Sequence, residues 1–283
     1  MDIPTVAAAA VVAWSVAIAG HQAGHALIAT ALGASVDTVT ALGVTGRWGA
    51  LRTPGTLMTS VAGTSVNMLV MAGAWGRMRP TGSPGLREVV AWLLFAASGW
   101  TVAGHLVLSP VIGAGDWMTV VDLFANRGPL RASTFVTGLF VCGVIWKGTH
   151  ETLAPVTGGG PEGSRVTCAR RLTRTAWVSG TVSAALAGAA TGIWGPSDAM
   201  LTHTGQLLPD PTLLGGVVGL CAAFIGFGLM TAPTMLAPVM VKERPVPGPP
   251  LEVTRSVPML ITGVFFAVLL IGALGPGVTL APH

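Results

Sequence analysis

The sequence predicts an all-α integral membrane protein, a bundle of six or seven transmembrane helices with a short β-hairpin between the first two. Three observations carry this prediction. Of 283 residues, 51% are hydrophobic and only 9% are charged, against roughly 25% charged in a soluble domain. Mean hydropathy is +0.70. Apolar runs of about 18 residues or more recur along the chain, each long enough to cross a hydrocarbon core of about 30 Å as a helix. A spanning segment must satisfy its own backbone amides, which favours helices; a transmembrane β-barrel would show alternating segments of about 10 residues instead.

The first apolar segment covers residues 3–32. At about 1.5 Å per residue it exceeds what a bilayer requires, so it is expected to tilt or to be irregular. It lacks a basic leading region and runs on too far for a cleavable signal peptide, and is expected to be retained. Between 33 and 54 the character changes. Val36, Val39, Thr40, Val44 and Thr45, with Gly43, Gly46 and Gly49, predict a short hairpin. A second helix is expected over 55–76, then a turn at Pro80, Gly82, Pro84 and Gly85, then a third helix over 86–108 that ends near Pro110.

An amphipathic stretch follows over 116–131. The weaker apolar run 132–146 contains Ser133, Thr134 and Thr137 and, at about 15 residues, is marginal as a crossing; hence six or seven helices. A Gly-rich loop (157–164) and a basic patch (Arg165, Arg170, Arg171, Arg174) lead into a helix ending near Trp194. In it Gly180, Ala184, Gly188 and Gly192 lie four apart, a small-residue stripe that permits close helix packing. Pro233 and Pro238 predict a kink or break in the segment 213–241. After a Pro-rich loop (245–250) a last helix is expected over 257–274.

A pI near 9.6 would ordinarily raise nucleic acid as a partner. The 15 basic residues, however, sit almost wholly between apolar segments, the positive-inside pattern of a membrane protein. The lipid bilayer is therefore an expected partner and nucleic acid is not. Seven crossings with a cytoplasmic N-terminus and six with an external one both leave most of these residues inside, so the count leaves orientation open. Cys142, Cys168 and Cys221 are widely spaced and form no CxxC pair, which excludes a disulfide framework or a cysteine zinc site. High Gly, Ala and Arg usage with no Tyr points to a GC-rich bacterial genome and a multi-pass protein of the bacterial plasma (inner) membrane.

One place looks chemical. His21-Gln22-Ala23-Gly24-His25 sets two imidazoles four residues apart, on one face of a helix and at the spacing by which two histidines chelate one zinc ion. No Asp, Glu, Lys or Arg occurs elsewhere between Ile3 and Leu32, and an ionisable group at membrane depth is a functional hypothesis by default. The alternative is that two neutral imidazoles hydrogen-bond to neighbouring helices.

This segment resembles the HExxH helix of the site-2 protease family of membrane-embedded zinc metalloproteases, with Gln22 where the glutamate belongs. Ala62-Gly63-Thr64-Ser65-Val66-Asn67 resembles the family's AGPxxN segment, with Thr64 replacing the proline. Pro110 followed by Asp116 resembles its proline-then-Asp-Gly motif, with one extra residue in the gap, Trp117 in place of the glycine, and the usual upstream Asn missing. The hairpin is similar to the membrane-associated hairpin of these enzymes. The resemblance covers about residues 1–125 and implies a metalloprotease-like core there, with further helices of unread role over 126–283. It implies that His21, His25 and Asp116 hold Zn²⁺ and that position 22 is the catalytic one. Asn67 would support the site or hold the substrate backbone. His105, a third intramembrane imidazole, would stand beside the metal or help a proton move. A purely structural role for Asn67 or His105, or an ordinary interfacial role for Asp116, is the alternative. His150, His203 and His283 carry no signal and are expected in loops or at the terminus.

The implied activity is intramembrane zinc endopeptidase, cleaving a single-pass membrane protein such as an anti-sigma factor in regulated intramembrane proteolysis. No soluble PDZ-like domain fits between 77 and 86, so the bundle itself would screen substrates. In such an enzyme the glutamate takes the proton of metal-bound water and passes it to the leaving amine. Glutamine cannot, so the sequence as it stands is expected to be inactive. Either the glutamate has been replaced to inactivate a protease, which the rest of the zinc constellation favours, or this is a natural pseudoprotease or scaffold that binds transmembrane helices. A transporter is a weaker reading, because midplane charges and symmetry between halves are not evident.

Overall fold

Asp2 opens the first helix, α1 (Ile3–Ala31): its carboxylate accepts the Thr5 amide at 3.0 Å and the Thr5 hydroxyl at 2.6 Å. That satisfies one of the amides a helix start leaves unpaired. Pro4, in the first turn, forfeits only a donor that would be unpaired anyway. The computed structural model describes residues 1–48, 51–78, 84–160, 163–195, 213–229, 231–236, 238 and 246–280. Gly49, Pro80, Gly82, Pro245, His203 and His283, for which the sequence raised expectations, lie outside the described residues.

After α1 come β1 (Ser35–Val39) and β2 (Val44–Arg47), then α2 (Thr53–Arg77), α3 (Leu86–Ile112), the short α4 (Asp116–Asp122) and α5 (Arg127–Thr157). A brief β3 (Gly158–Gly160) precedes α6 (Ser164–Trp194). Then α7 (Leu213–Ala223) passes into a π-helical turn (Phe224–Leu229) and α8 (Pro233–Leu236). The chain ends with β4 (Val246–Pro250), α9 (Val257–Val268) with its own π-helical turn (Leu269–Leu274), and β5 (Val278–Thr279). Helices α1, α2, α3, α5 and α6 and the segments Gly215–Leu236 and Val257–Leu274 are seven stretches long and apolar enough to cross a membrane. The architecture is thus an all-α bundle with a little sheet, compatible with a multi-pass membrane protein.

Large apolar side chains point in two directions. Val6, Val89, Trp92, Leu153 and Leu172 are fully buried and join α1, α3, α5 and α6 in one core. Leu69, Phe140, Ile261, Val264 and Val268 are more than half exposed on the outer faces of α2, α5 and α9, a surface suited to lipid rather than water.

Three expectations change. The marginal run 132–146 is the middle of a 31-residue helix, α5. Along its polar end Thr152 Oγ1 donates to the Gly148 carbonyl at 2.7 Å, and Trp92 Nε1 donates to the Thr149 carbonyl at 3.1 Å and ties this turn to α3. His150 therefore lies in α5 and not in a loop. Helix α3 runs two residues past Pro110 to a left-handed cap at Gly113, and Arg131 donates to the carbonyls of Pro110 (2.5 Å) and Val111 (3.3 Å). The Pro-rich stretch 246–250 is a strand, β4, paired antiparallel with β3; in a two-stranded sheet its prolines need donate nothing on the outer edge.

The expected break at Pro233 is present, with a π-helical turn before it. The hairpin forms with register Ser35↔Arg47 to Val39↔Val44 and a bulge, and β5 adds to its other side, giving the order β2-β1-β5. This sheet, α4 and the start of α2 gather at the C-terminal end of α1, which places them around the His pair.

Candidate metal centre

Helix α1 sets His21 and His25 one turn apart, both buried (3% and 7% exposed), with ring centroids 4.7 Å apart. Asp116 reaches them from the first turn of α4, across a loop bent at Gly113 (φ 72°) and Gly115 (φ 92°). Positive φ at both positions favours glycine. His21 Nε2 lies 2.9 Å and His25 Nε2 3.2 Å from Asp116 Oδ2, and the two nitrogens are 3.1 Å apart. These three atoms can hold a metal ion. A tetrahedral ion bonded at about 2.0–2.1 Å needs ligand–ligand edges of roughly 3.3 Å, so the triangle is nearly the right size.

The imidazoles are oriented from behind. His25 Nδ1 lies 2.7 Å from the Thr59 carbonyl, which can only accept. Nδ1 therefore carries the proton, and the Nε2 lone pair faces His21 and Asp116. Asn67, fully buried on α2, places its amide 3.3 Å from His21 Nδ1. The amide nitrogen faces the ring while Oδ1 is buried without a partner among the described residues. Turning the amide over, an assignment that atomic positions do not fix, lets Oδ1 accept from His21 Nδ1–H. Both rings then present lone pairs to Asp116. Two lone pairs and a carboxylate oxygen at about 3 Å would repel one another without a cation between them, and this donor set fits one.

Space for the cluster comes from Gly63. A Cβ there would sit 2.5 Å from His25 Nε2 and 2.8 Å from His21 Nε2, so no other residue leaves room for both rings. Trp117 Nε1 donates to Thr64 Oγ1 at 3.3 Å. Thr64 and Trp117, two of the residues at which the chain departs from the pattern it resembles, thus bond to each other and tie α4 to α2 beside Asp116.

His105 of α3 lies beside His21, with centroids 4.2 Å apart and planes tilted by 30°, and its Nδ1 is 3.2 Å from Asp116 Oδ2. Burial pushes the Asp116 carboxyl up; without a metal, ring N–H groups of His105, His21 and His25 turned toward it would outweigh this and hold it well below the usual carboxylate range, and a bound cation would take the place of the His21 and His25 protons. Gln22 lines a cavity of about 620 Å³ together with the three ligand candidates, His105 and the inner edge of the hairpin from Leu42 to Gly46.

All six residues singled out in the sequence therefore gather here: His21, His25 and Asp116 as a triangle, His105 and Asn67 touching it, and Gln22 on the cavity wall. Sequence reasoning did not find the Thr59 carbonyl, the Thr64–Trp117 bond or the steric role of Gly63. A backbone acceptor leaves no trace in residue type, and Gly63 was visible only as part of AGTSVN. Comparison of the chain with protein-family models, curated proteins and solved structures finds no match, so the reading of this site rests on its own chemistry.

Proposed function

We propose that the chain is a membrane-embedded zinc metallopeptidase of the site-2 type, with Gln22 in the place of its proton-accepting glutamate. The observation that carries this is the convergence of His21 Nε2, His25 Nε2 and Asp116 Oδ2 within about 3 Å of one another beside a cavity. Two neutral imidazoles and a carboxylate would hold Zn²⁺, which supplies Lewis acidity to a peptide carbonyl and acidity to a bound water.

The chain's own residues do the rest. His25 is fixed by the Thr59 carbonyl and His21 by Asn67, so neither ring must reorient. Strand β2 is the edge of the β2-β1-β5 sheet, and Val44, Thr45 and Gly46 line the cavity. An extended peptide can add to this edge through backbone hydrogen bonds, which exposes carbonyls that a helix would shield. The substrate class is then the membrane-spanning or membrane-proximal part of a single-pass protein, unwound as it binds. Gln22 accepts no proton from water, so the chain as it stands binds peptide without cleaving it.

The test is Gln22→Glu, reconstituted in liposomes with one equivalent of zinc and offered single-pass substrates. Cleavage, lost again on Asp116→Ala, supports a protease held inactive at one side chain. If the variant binds zinc and peptide but cleaves nothing, the endopeptidase reading fails and a peptide-capturing scaffold replaces it.

A further inference from the structure

A second cavity, of about 350 Å³, lies at the opposite end of the bundle. His21 is 18 residues along α1 from Ile3, or roughly 27 Å at the rise of a helix. The second cavity sits instead at the start of α1, where α6 begins beneath the β3–β4 sheet. Its wall is formed by Gly159, Gly163, Ser164, Arg165, Thr167 and Arg171, and Leu251 gives it an apolar side.

Arg165 is the unusual member. It is only 8% exposed, yet its guanidinium meets neutral acceptors alone: Nε donates to the Gly158 carbonyl at 2.8 Å and Nη2 to the Ala154 carbonyl at 3.2 Å. Among the described residues no carboxylate pairs with it, nor with Arg171 on the same wall. A buried charge without an opposite partner is costly, and two facing one cavity repel each other. The start of the 31-residue α6 adds the positive end of a long helix dipole. A guanidinium held in place at Arg165, a second one on the same wall at Arg171, a helix start and a glycine-lined rim are features that receive a phosphate group.

We propose that this cavity binds a phosphate group, carried either by the headgroup of an anionic phospholipid or by a soluble ligand. The apolar wall at Leu251 suits the glycerol and upper acyl carbons of a lipid, and basic pockets between membrane helices are where such headgroups dock.

The experiment is native mass spectrometry of the delipidated full chain, titrated with phosphatidylglycerol or phosphatidylcholine, with inorganic phosphate as competitor. One molecule of phosphatidylglycerol binds in preference to phosphatidylcholine, and Arg171→Gln weakens it about fivefold. Arg165→Gln weakens it further. Should that variant fail to fold because it frees the Ala154 and Gly158 carbonyls, Arg171→Gln, an exposed position, decides alone. Displacement of the lipid by inorganic phosphate at equal concentration assigns the site to a soluble phosphorylated ligand; persistence of the lipid assigns it to the headgroup. Equal binding of the two lipids, or of the parent and Arg171→Gln, overturns the proposal. Zinc content is the same in parent and variants.

Discussion

Gln22 and glutamate differ by one terminal atom, so under the proposed function the triangle of His21, His25 and Asp116, the two oriented imidazoles and the cavity would suit either residue. What a glutamine would not supply is basicity at that position. Asn67 offers a complementary test, because its amide matters for acceptance and not for size. Removing an outer-shell partner of a ligating histidine typically costs 10–100-fold in metal affinity. Asn67→Ala is therefore expected to weaken zinc binding by about that factor in a competition titration, whereas Asn67→Asp, which keeps an acceptor facing His21 Nδ1–H, retains most of it. Equal losses in both variants would mean that Asn67 only fills space. Gly63→Ala is expected to abolish zinc binding while leaving the helical circular dichroism unchanged, because its Cβ would collide with both ligand rings. At this scale the sequence was most legible where chemistry lives in side chains at fixed spacing: the His pair one turn apart, and a lone acidic residue after a helix end. Hidden from it was everything supplied by backbone or by pairs distant in the chain. Thr64 and Trp117 looked like two separate departures from a motif; they are 53 positions apart and meet in one hydrogen bond.

Between elements, the small-residue stripe of α6 divides its work. Gly188 and Gly192 face Gly219 and Gly215 of α7, where an added Cβ on either would overlap the opposing backbone carbonyl. Gly180 instead receives the edge of Trp14 from α1. Gly192→Leu should force α7 away from α6 and destabilise the protein by about 1–3 kcal/mol, as overpacking does, visible as a lower melting temperature in detergent. Under the proposed zinc site, zinc content should stay near one per chain, since His21 and His25 lie on α1 and Asp116 on α4. Loss of zinc along with stability would show that the C-terminal helices hold the metal centre in shape. Four-residue spacing made this stripe readable, whereas α5 was not. Hydropathy sees Lys147, His150, Glu151 and Thr152 as the end of an apolar run, but the helix continues through them, with Lys147 and Glu151 pointing outward as an i, i+4 pair and the Trp92 indole bonded to the Thr149 carbonyl on the inner side. Proline likewise misled at 246–250: its lack of an amide donor reads as a loop, yet costs nothing on the open side of a two-stranded sheet.

For the whole molecule, the length of α5 makes it one of seven candidate crossings by length and composition, where charge alone left six and seven balanced. Seven crossings put the two ends of the described chain on opposite faces. The face holding the start of α1, the end of α5 and the start of α6 carries Arg77, Arg87, Lys147, Arg165, Arg170, Arg171, Arg174 and Arg255. The other carries Arg47, Arg52, Arg127 and Arg131. If all seven segments cross, the positive-inside rule would make the first face cytoplasmic. The hairpin and the metal centre, two-thirds of the way along α1, then open toward the external side, and a bound peptide would be engaged near its external end. Single cysteines test this in a background lacking Cys142, Cys168 and Cys221. Leu42→Cys in the hairpin is expected to react with a membrane-impermeant maleimide on intact cells, and Ser164→Cys only after the cells are opened. The reverse pattern would place the hairpin in the cytoplasm against the charge bias. The peptide would then be engaged from the cytoplasmic side, and the arginine-lined cavity at α6 would face the outer leaflet, where its phosphate would have to come from a lipid of that leaflet.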